Sequence, residues 1–325
     1  APSLLSYIKM RIDRQRDQRG RYVLTGSQQF ALTKGLSETL AGRIGLLRLW
    51  PFDLAEKRGI DSMAISSGRK KFEHACLRGS FPELDVHPEL ETRPWYASYV
   101  QTYLERDVRS VYDVGDLRDF QRFVQLLAAR CAQQINMSEI AGEIGVAVST
   151  VKRWMSIMEA GGIIYLLRPY YRNFGKRIVK APKLYFMDCG LVCYLLGIST
   201  SELLMNGPMA GPLFENFCIQ ETVKVLAHAG KPLNLYYLRT GKGVEVDLLI
   251  EGEGQRLVPV EMKISKTPRP TMANNIGKIA KQFPELDLQN GYLLSLSDEK
   301  QSLTRMVKTL PIEQYCDLLL GTEIL

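Results

Sequence analysis

Two short strand-like runs, residues 243–250 and 257–264, constrain the fold of this chain more than any other feature. They flank the turn sequence EGEGQR, which predicts an antiparallel hairpin. Side chains alternate across a strand, so pairing with matching parity places the even-numbered positions of both runs on one face. Every even-numbered residue is apolar: Val244, Val246, Leu248, Ile250, Val258, Val260, Met262 and Ile264. This face must be buried, which predicts a sheet covered on at least one side.

The opposite face of the hairpin is charged at its centre. Its polar residues are Glu245, Asp247, Glu261 and Lys263. Leu249 and Leu257 lie on the same face, which predicts partial cover, and charges in a covered position need a partner. A divalent cation such as Mg²⁺ is one such partner, since it prefers carboxylate oxygens and uses one or two of them. A salt-bridged outer face without a cation is the alternative.

A helix before the hairpin is predicted from the sequence GPLFENFCIQETV. It offers two further carboxylates, Glu215 and Glu221, and we favour Glu215 because it lies between Phe214 and Phe217. From Pro212 onward the pattern predicts a helix, two strands, a helix and a strand. The C-terminal region is therefore expected to be an α/β domain.

Residues 137–167 carry the pattern of a helix-turn-helix unit. Ala141 supplies the small residue at the helix contact, and Gly145 supplies the turn with positive φ. Ser138 and Ser149 are the expected N-caps of the two helices. Apolar residues at Ile140, Ile144, Val146, Val151 and Trp154 fall where the shared core requires them.

The helix-turn-helix is followed by a predicted two-stranded wing with its turn at residues 173–175. Basic residues dominate residues 162–187, which contain no acid: Arg168, Arg172, Lys176, Arg177, Lys180 and Lys183. A winged helix of this kind binds duplex DNA with its second helix in the major groove and its wing on phosphates. The expected DNA contacts are Ser149, Thr150, Lys152, Arg153, Arg172, Lys176 and Arg177. A packing module that contacts no DNA is the alternative.

The N-terminal third alternates helix and strand patterns. Residues 3–17 predict an amphipathic helix, RYVLTGS (21–27) and IGLLRLWPF (44–52) predict buried strands, and residues 61–134 predict helices. The alternation resembles the end of a parallel α/β sheet. The polar stretch at 199–211 predicts a connector between domains.

Composition limits the function classes. The 325 residues suffice for two or three domains, and a net charge of +7 favours a polyanionic partner. No apolar run reaches the roughly eighteen residues of a membrane helix, so no membrane partner is expected. The six cysteines include no CxxC pair and predict reduced core residues in a cytoplasmic protein.

Several stretches, in their order along the chain, resemble a known family: RYVLTGSQQF, LSETLAGRIGLLRLWPFDLAE, RGSFPEL, WYASYVQTYLERDV, LFENF and GVEVDLLIE…VPVEMK. They resemble bacterial and archaeal AAA+-type ATPases fused to a winged helix and a C-terminal domain of unknown function with a RecB-like PD-(D/E)XK nuclease fold. The resemblance implies that Asp247 and Glu261 hold Mg²⁺, that Lys263 stabilises developing charge and that Glu215 assists.

The same resemblance implies an ATPase core whose phosphate-binding loop and Walker B acid precede residue 1. The chain contains no G-x-x-x-x-G-K-[ST] sequence, so ATP binding is expected only in a longer form. Thr25 and Ser27 would lie near the γ-phosphate, and Arg43 would sense the nucleotide, with Arg106 a weaker candidate. A strand-end cap and surface ion pairs are the alternatives for these residues.

The sequence thus predicts an α/β multidomain protein. The expected units are an AAA+ ATPase core remnant (1–60), a helical lid or linker region (61–134), a winged helix (135–200) and a PD-(D/E)XK nuclease-like domain (201–325). The expected function is DNA binding with possible Mg²⁺-dependent phosphodiester hydrolysis, in a protein that could oligomerise through the ATPase part. A non-catalytic, ATP-regulated DNA-binding or protein-interaction module is the alternative.

Overall fold

The computed structural model describes residues 2–25, 40–45, 47–59, 67–104, 117–170 and 181–321. Within these ranges the chain forms thirteen α-helices and a mixed seven-stranded sheet, which confirms the predicted α/β class. No helix in the described ranges has the length and apolar character needed to cross a membrane.

The N-terminal half of the described chain is helical. Its helices are α1 (Pro2–Arg14), α2 (Leu54–Lys57), α3 (Gly68–Leu77), α4 (Pro82–Val86), α5 (Thr92–Tyr99), which runs into a π-helical turn (Val100–Leu104), and α6 (Leu117–Ala129). Helix α1 confirms the amphipathic helix predicted at 3–17, and α3 to α6 confirm a helical middle region.

The two N-terminal strands predicted from the sequence are wrong over their described residues. Residues 21–25 and 47–50 belong to no strand, and the side chains of Val23 and Leu47 are 84% and 96% exposed. A strand requires a neighbour for its backbone hydrogen bonds, and no described segment pairs with either stretch. The apolar pattern was therefore insufficient by itself to predict burial.

The helix-turn-helix pattern folds as two consecutive helices, α7 (Met137–Ile144) and α8 (Val148–Ala160). Gly145 ends α7 with φ 87°, as the sequence predicts. Trp154 of α8 packs on Phe120 and Phe123 of α6. These contacts bury the apolar side of the unit and leave its other side to solvent.

The predicted N-caps of these two helices are wrong. Asn136 caps α7, because its side-chain oxygen accepts the N–H groups of Ser138 and Glu139. Helix α8 begins after Ala147 and has no side-chain cap. Ser138 and Ser149 therefore lie at the second position of their helices, two residues beyond the N-cap site where a hydroxyl could act as a cap.

The strands predicted for the wing are β1 (Ile164–Pro169) and β2 (Lys183–Phe186), which pair antiparallel. Residues 171–180, including the predicted turn, lie outside the described residues. Strand β1 also pairs in parallel with β3 (Leu235–Arg239). The ribbon formed by β1 and β2 is therefore continuous with the C-terminal sheet.

The remaining elements follow in chain order: α9 (Cys189–Leu196), α10 (Ser201–Asn206), α11 (Ala210–His228), β3, β4 (Glu245–Glu251), β5 (Leu257–Met262), α12 (Asn274–Gln282), β6 (Gly291–Leu294), β7 (Val307–Leu310) and α13 (Ile312–Leu320). The helix-strand-strand-helix-strand pattern is present, with β3 and β7 in addition. The polar stretch 199–211, predicted as a connector between domains, contains helix α10.

Helices cover both faces of the sheet, whose strand order is β2-β1-β3-β4-β5-β6-β7. On one face, Leu213 and Phe217 of α11 share a core with Leu248 of β4. On the other face, Ile276 and Ile279 of α12 share a core with residues that include Leu249 and Leu257. The acidic hairpin is thus a central part of the sheet, buried more fully than the partial cover predicted from its sequence.

The hairpin register is as predicted, because Leu248 pairs with Val260 and Ile250 with Val258. On the β3 side, however, Tyr236 pairs with Leu249 while Leu238 pairs with Val246, so β4 contains one extra residue there. Such a bulge redirects side chains. Val246 consequently joins the core beneath α12, and the predicted shared face of Val246 and Leu248 is wrong.

Candidate active site

Three of the predicted site residues form one hydrogen-bonded group at the end of the hairpin. The Lys263 ammonium donates to Asp247 Oδ2 at 2.9 Å and to Glu261 Oε2 at 2.8 Å. The backbone N–H of Met262 also donates to Asp247 Oδ2, at 2.9 Å. Asp247 and Glu261 are buried, whereas the Lys263 side chain is 38% exposed. Solvent therefore reaches the group from the side of the lysine.

The two carboxylates of this group titrate differently. Burial, followed by the nearby Asp247 carboxylate, raises the pKa of Glu261 to about 9. Burial also acts to raise the pKa of Asp247, but Lys263 and Lys183 outweigh it and the pKa falls below its usual value. At neutral pH and without a cation, Asp247 is therefore ionised and Glu261 carries a proton.

One atom of the group lacks a partner: Glu261 Oε1 is buried and accepts no hydrogen bond within the described protein. A buried carboxylate oxygen left unpaired costs about 1–3 kcal/mol or more. The Glu261 side chain lies close enough to Asp247 for the two to interact, so the pair offers two carboxylates, the number that Mg²⁺ commonly uses. The donor set fits a hard divalent cation, with Asp247 and Glu261 as the residues that would hold it.

A second lysine-bridged pair adjoins the first. The buried Lys183 ammonium donates to Glu215 Oε1 and, at 2.8 Å, to Glu245 Oε1. The Tyr185 hydroxyl donates to the same Glu215 oxygen at 2.6 Å, and Arg239 pairs with the other oxygen of Glu245 at 3.1 Å. Helix α11, strand β4 and strand β2 therefore meet at this pair.

Asp247 links the two pairs electrostatically. Burial raises the pKa of Glu215, Lys183 opposes that rise and the Asp247 carboxylate adds to it. Lys183 in turn lowers the pKa of Asp247. The structure thus joins Asp247, Glu261 and Lys263 by hydrogen bonds and places Glu215 within electrostatic range of Asp247; these are the four residues predicted for catalysis. The other candidate, Glu221, lies elsewhere, where its carboxylate accepts the N–H of Leu54.

Three other side chains have the spacing of metal ligands. Asp53, Glu56 and His228 have ligand atoms within 4.8 Å of one another, and they form the one such trio within the described ranges. Asp53 and Glu56 form the capping box of α2, and His228 Nδ1 lies 2.8 Å from Asp53 Oδ2. Helix capping and an ion pair account for these contacts.

The predicted DNA contacts are accessible where they are described. Ser149, Lys152 and Arg153 on α8 are exposed, and Thr150 is half-buried. The three wing residues, Arg172, Lys176 and Arg177, lie outside the described residues. The exposed side of α8 is the side opposite the packing against α6.

The predicted nucleotide-sensing residues are near the N-terminus. Thr25 is exposed, and Ser27 and Arg106 lie outside the described residues. Arg43 makes a bidentate pair with Asp13 of α1, at 2.6 and 3.2 Å, and donates to the Ala41 carbonyl. The contact observed at Arg43 is therefore an ion pair within the N-terminal segment.

Sequence reasoning misses Lys183 and Tyr185 as site residues, because the run of basic residues at 162–187 assigns Lys183 to the wing. A signal was present in the sequence APKLYFMD, where Lys183 is the one charged residue entering an apolar run. A lysine in such a run must find a buried counter-charge. The pattern does not reveal which acid supplies that charge.

Three family models match successive parts of the chain. An AAA domain matches residues 1–57, a domain of unknown function (DUF8612) matches 69–202, and a second one (DUF4143) matches 210–315. The acidic residues of the site lie in the third match, and Lys183 lies in the second.

Relatives of this chain are longer proteins. Uncharacterized proteins of Mycobacterium bovis and Mycobacterium tuberculosis are each 28% identical over 276 residues, 85% of this chain and 58% of the relative. An uncharacterized protein of Methanocaldococcus jannaschii is 22% identical over 293 residues, 85% of this chain and 63% of the relative. The chain thus spans less than two thirds of the length of these relatives, and no solved structure matches it. Together, the AAA-domain match at the N-terminal end and the DUF4143 match at the C-terminal end support an AAA-type ATPase-like family for this chain.

Proposed function

We propose that Asp247 and Glu261 hold a divalent cation, with Mg²⁺ the favoured ion, and that the site hydrolyses phosphodiester bonds in DNA. The supporting observation is the buried, unpaired Glu261 Oε1 beside Asp247. The ion pair with Lys263 uses Oε2 of Glu261 and leaves Oε1 without a hydrogen-bond partner among the described residues. A cation that replaces the Glu261 proton would satisfy it.

Each side chain has a specific role in this proposal. Asp247 and Glu261 bind through their oxygens, and the bound ion would activate a water and polarise a phosphoryl oxygen. Lys263 reaches solvent and already contacts both carboxylates, so its ammonium can neutralise charge that develops on a phosphate. Glu215 lies near Asp247 and would orient the attacking water.

DNA as the substrate rests on the surface of α8. Ser149, Lys152 and Arg153 are exposed on one side of a helix that follows a helix-turn-helix contact. Helices in this position enter the major groove, and basic side chains beside them bind phosphate. The net charge of +7 favours the same polyanion. In a longer form with a complete ATPase core, ATP would regulate access to the site, and the ATPase part would supply contacts between copies.

Calorimetric titration of Mn²⁺ into the 325-residue chain tests the cation site without any choice of substrate. We expect one binding event that is lost in both Asp247→Asn and Glu261→Gln. Glu253→Gln is the matched control, because Glu253 lies in the exposed turn of the same hairpin. Binding that survives both site substitutions would refute the assignment, as would parent protein that binds no Mn²⁺ alone or with DNA.

Cleavage is tested with linear and circular duplex DNA in the presence of Mg²⁺ or Mn²⁺. We expect cleavage by the parent and none by Asp247→Asn, with circular dichroism and the urea midpoint confirming that the variant is folded. Cleavage retained by that variant would show that the activity has another source.

A second candidate function is DNA binding without catalysis. The observation that favours it is the direct contact of Lys263 with both carboxylates, because a salt bridge with a purely structural role would have the same geometry. In that case duplex binding falls steeply with salt, because phosphate contacts release counterions, and neither Mn²⁺ nor Asp247→Asn changes it. Protein that binds no duplex at low salt would instead favour a protein-interaction module.

A further inference from the structure

Lys183 is a charged residue in the interior of the sheet. It is the first residue of β2 and is only 3% exposed. A buried ammonium is costly unless it is paired and hydrogen-bonded. Its partners, Glu215 and Glu245, come from α11 and β4. Lys183 therefore joins the ribbon to α11 and to β4, the strand that carries Asp247.

Adjacent contacts fix the backbone on both sides of the Lys183–Glu215 pair. Asn216, the next residue on α11, accepts the Phe186 N–H at 2.7 Å and donates to the Phe186 carbonyl at 3.0 Å. Tyr185, between Lys183 and Phe186 on β2, donates to Glu215. With the backbone of β2 bonded to α11, the Glu215 carboxylate is held by two donors and cannot move away from β2 freely.

We infer that Lys183 is a positioning residue of the acidic site and holds Glu215 and Glu245 at the edge of the Asp247–Glu261 pair. The site is consequently assembled from two parts of the chain, the ribbon strand β2 and the segment α11-β3-β4-β5. The inference rests on the proposed function where it concerns the cation. The contact itself can be tested without any cation.

The cation-independent test is a double-mutant cycle of Lys183→Met and Glu215→Gln, measured as shifts in the urea midpoint. Residues in direct contact give non-additive shifts, so the double variant should unfold near the midpoint of the less stable single variant. Additive shifts would overturn the inference.

The matched control for this cycle is Lys224→Met. Lys224 is an equally buried lysine on α11 that bonds the Phe52 carbonyl and Glu221. It lies nine positions from Glu215, roughly 13 Å along the helix. Lys224→Met and Glu215→Gln should therefore shift the midpoint additively.

The cation test is a Mn²⁺ titration of Lys183→Met and Lys224→Met. Without the shared ammonium, Glu215 and Glu245 repel each other and Glu215 no longer faces the pair, so we expect binding at least tenfold weaker in Lys183→Met. Lys224→Met should bind within twofold of the parent. Unchanged or tighter binding in a folded Lys183→Met would show that Lys183 does not position the site and would overturn the inference.

The two tests separate failure of the inference from failure of the proposed function. Parent protein that binds no Mn²⁺ would refute the cation site, while the urea cycle would still decide whether Lys183 holds Glu215. If the parent binds Mn²⁺ but the urea cycle is additive, the inference about Lys183 is refuted and the proposed cation site is not. If Lys183→Met does not fold, Glu215→Gln alone carries the cation test, and parent-like Mn²⁺ affinity in it overturns the positioning role.

Discussion

Binding of a divalent cation at Asp247 and Glu261 should release a proton. The pKa of Glu261 is raised to about 9 by burial and by Asp247, so at pH 7 this carboxyl is protonated while Asp247 is ionised. A metal ligand must be deprotonated, so the proton has to leave as the cation enters. Binding is therefore expected to be linked to pH through one side chain.

The magnitude follows from the pKa of Glu261. Two pH units separate neutral pH from a pKa of about 9, which corresponds to about 2.7 kcal/mol, or about a hundredfold loss of affinity at pH 7. Between pH 6 and 8, Mn²⁺ affinity should rise about tenfold per pH unit. The rise should level off as the pH approaches the pKa.

Calorimetry in two buffers with different protonation enthalpies measures the released proton directly. We expect about one proton per Mn²⁺ at pH 7 in the parent and in the Glu253→Gln control. Binding without proton release, with an affinity independent of pH, would show that Glu261 is already ionised or is not a ligand. Either result would contradict the electrostatic account of the site.

Three further predictions concern stability. The pKa of Glu261 is higher in the folded protein than in the unfolded chain, so the free energy of unfolding should fall as pH rises from 7 to 8.5. In urea unfolding, the free energy of unfolding of the parent should fall by about 1.4 kcal/mol per pH unit more than that of Glu261→Gln. The same pH dependence in both proteins would contradict the raised pKa of Glu261. Asn216→Leu leaves two Phe186 backbone groups unpaired and should lower the free energy of unfolding by about 1–3 kcal/mol for each. Urea unfolding that shows almost no loss of stability would contradict the bonds between α11 and β2. The buried Lys57 ammonium lies 3.0 Å from Asp85 Oδ2, and Asp85→Asn removes its counter-charge. This change should lower the free energy of unfolding by about 3–5 kcal/mol. A thermal midpoint like that of the parent would contradict the burial of the pair.

Alternation along the hairpin was sufficient to predict its register and the meeting of Asp247, Glu261 and Lys263. Two properties made this possible: strands have a fixed period of two, and the EGEGQR turn leaves little choice of pairing. The bulge in β4 was not predictable from the same pattern, because it arises from pairing with β3, a strand that the sequence analysis did not identify. The contact of Glu245 with Lys183 was not predicted either.

Local patterns also predicted the helix-turn-helix pair, where Gly145 marks the turn. They failed for residues 21–25 and 47–50, which have the composition of strands but no strand beside them. Burial of a strand depends on the strands beside it, whereas composition gives only the β-propensity of each residue. The role of Lys183 was missed for the same reason, since its partners lie more than thirty positions away in the chain.

Helix α11 connects the acidic site to the N-terminal segment. Glu215 lies near its start, while Glu221 accepts the N–H of Leu54 at 2.8 Å and Lys224 donates to the Phe52 carbonyl at 3.1 Å. All three residues are on one continuous helix, and Glu221 and Lys224 are fully buried. If α2 moved alone, the hydrogen bond between the Leu54 N–H and the Glu221 carboxylate would break. Each buried group left unpaired would cost about 1–3 kcal/mol of stability. A displacement of α2 therefore either incurs this cost or carries α11 with it, and the second outcome also acts on the bonds by which Glu215 and Asn216 hold α11 to β2.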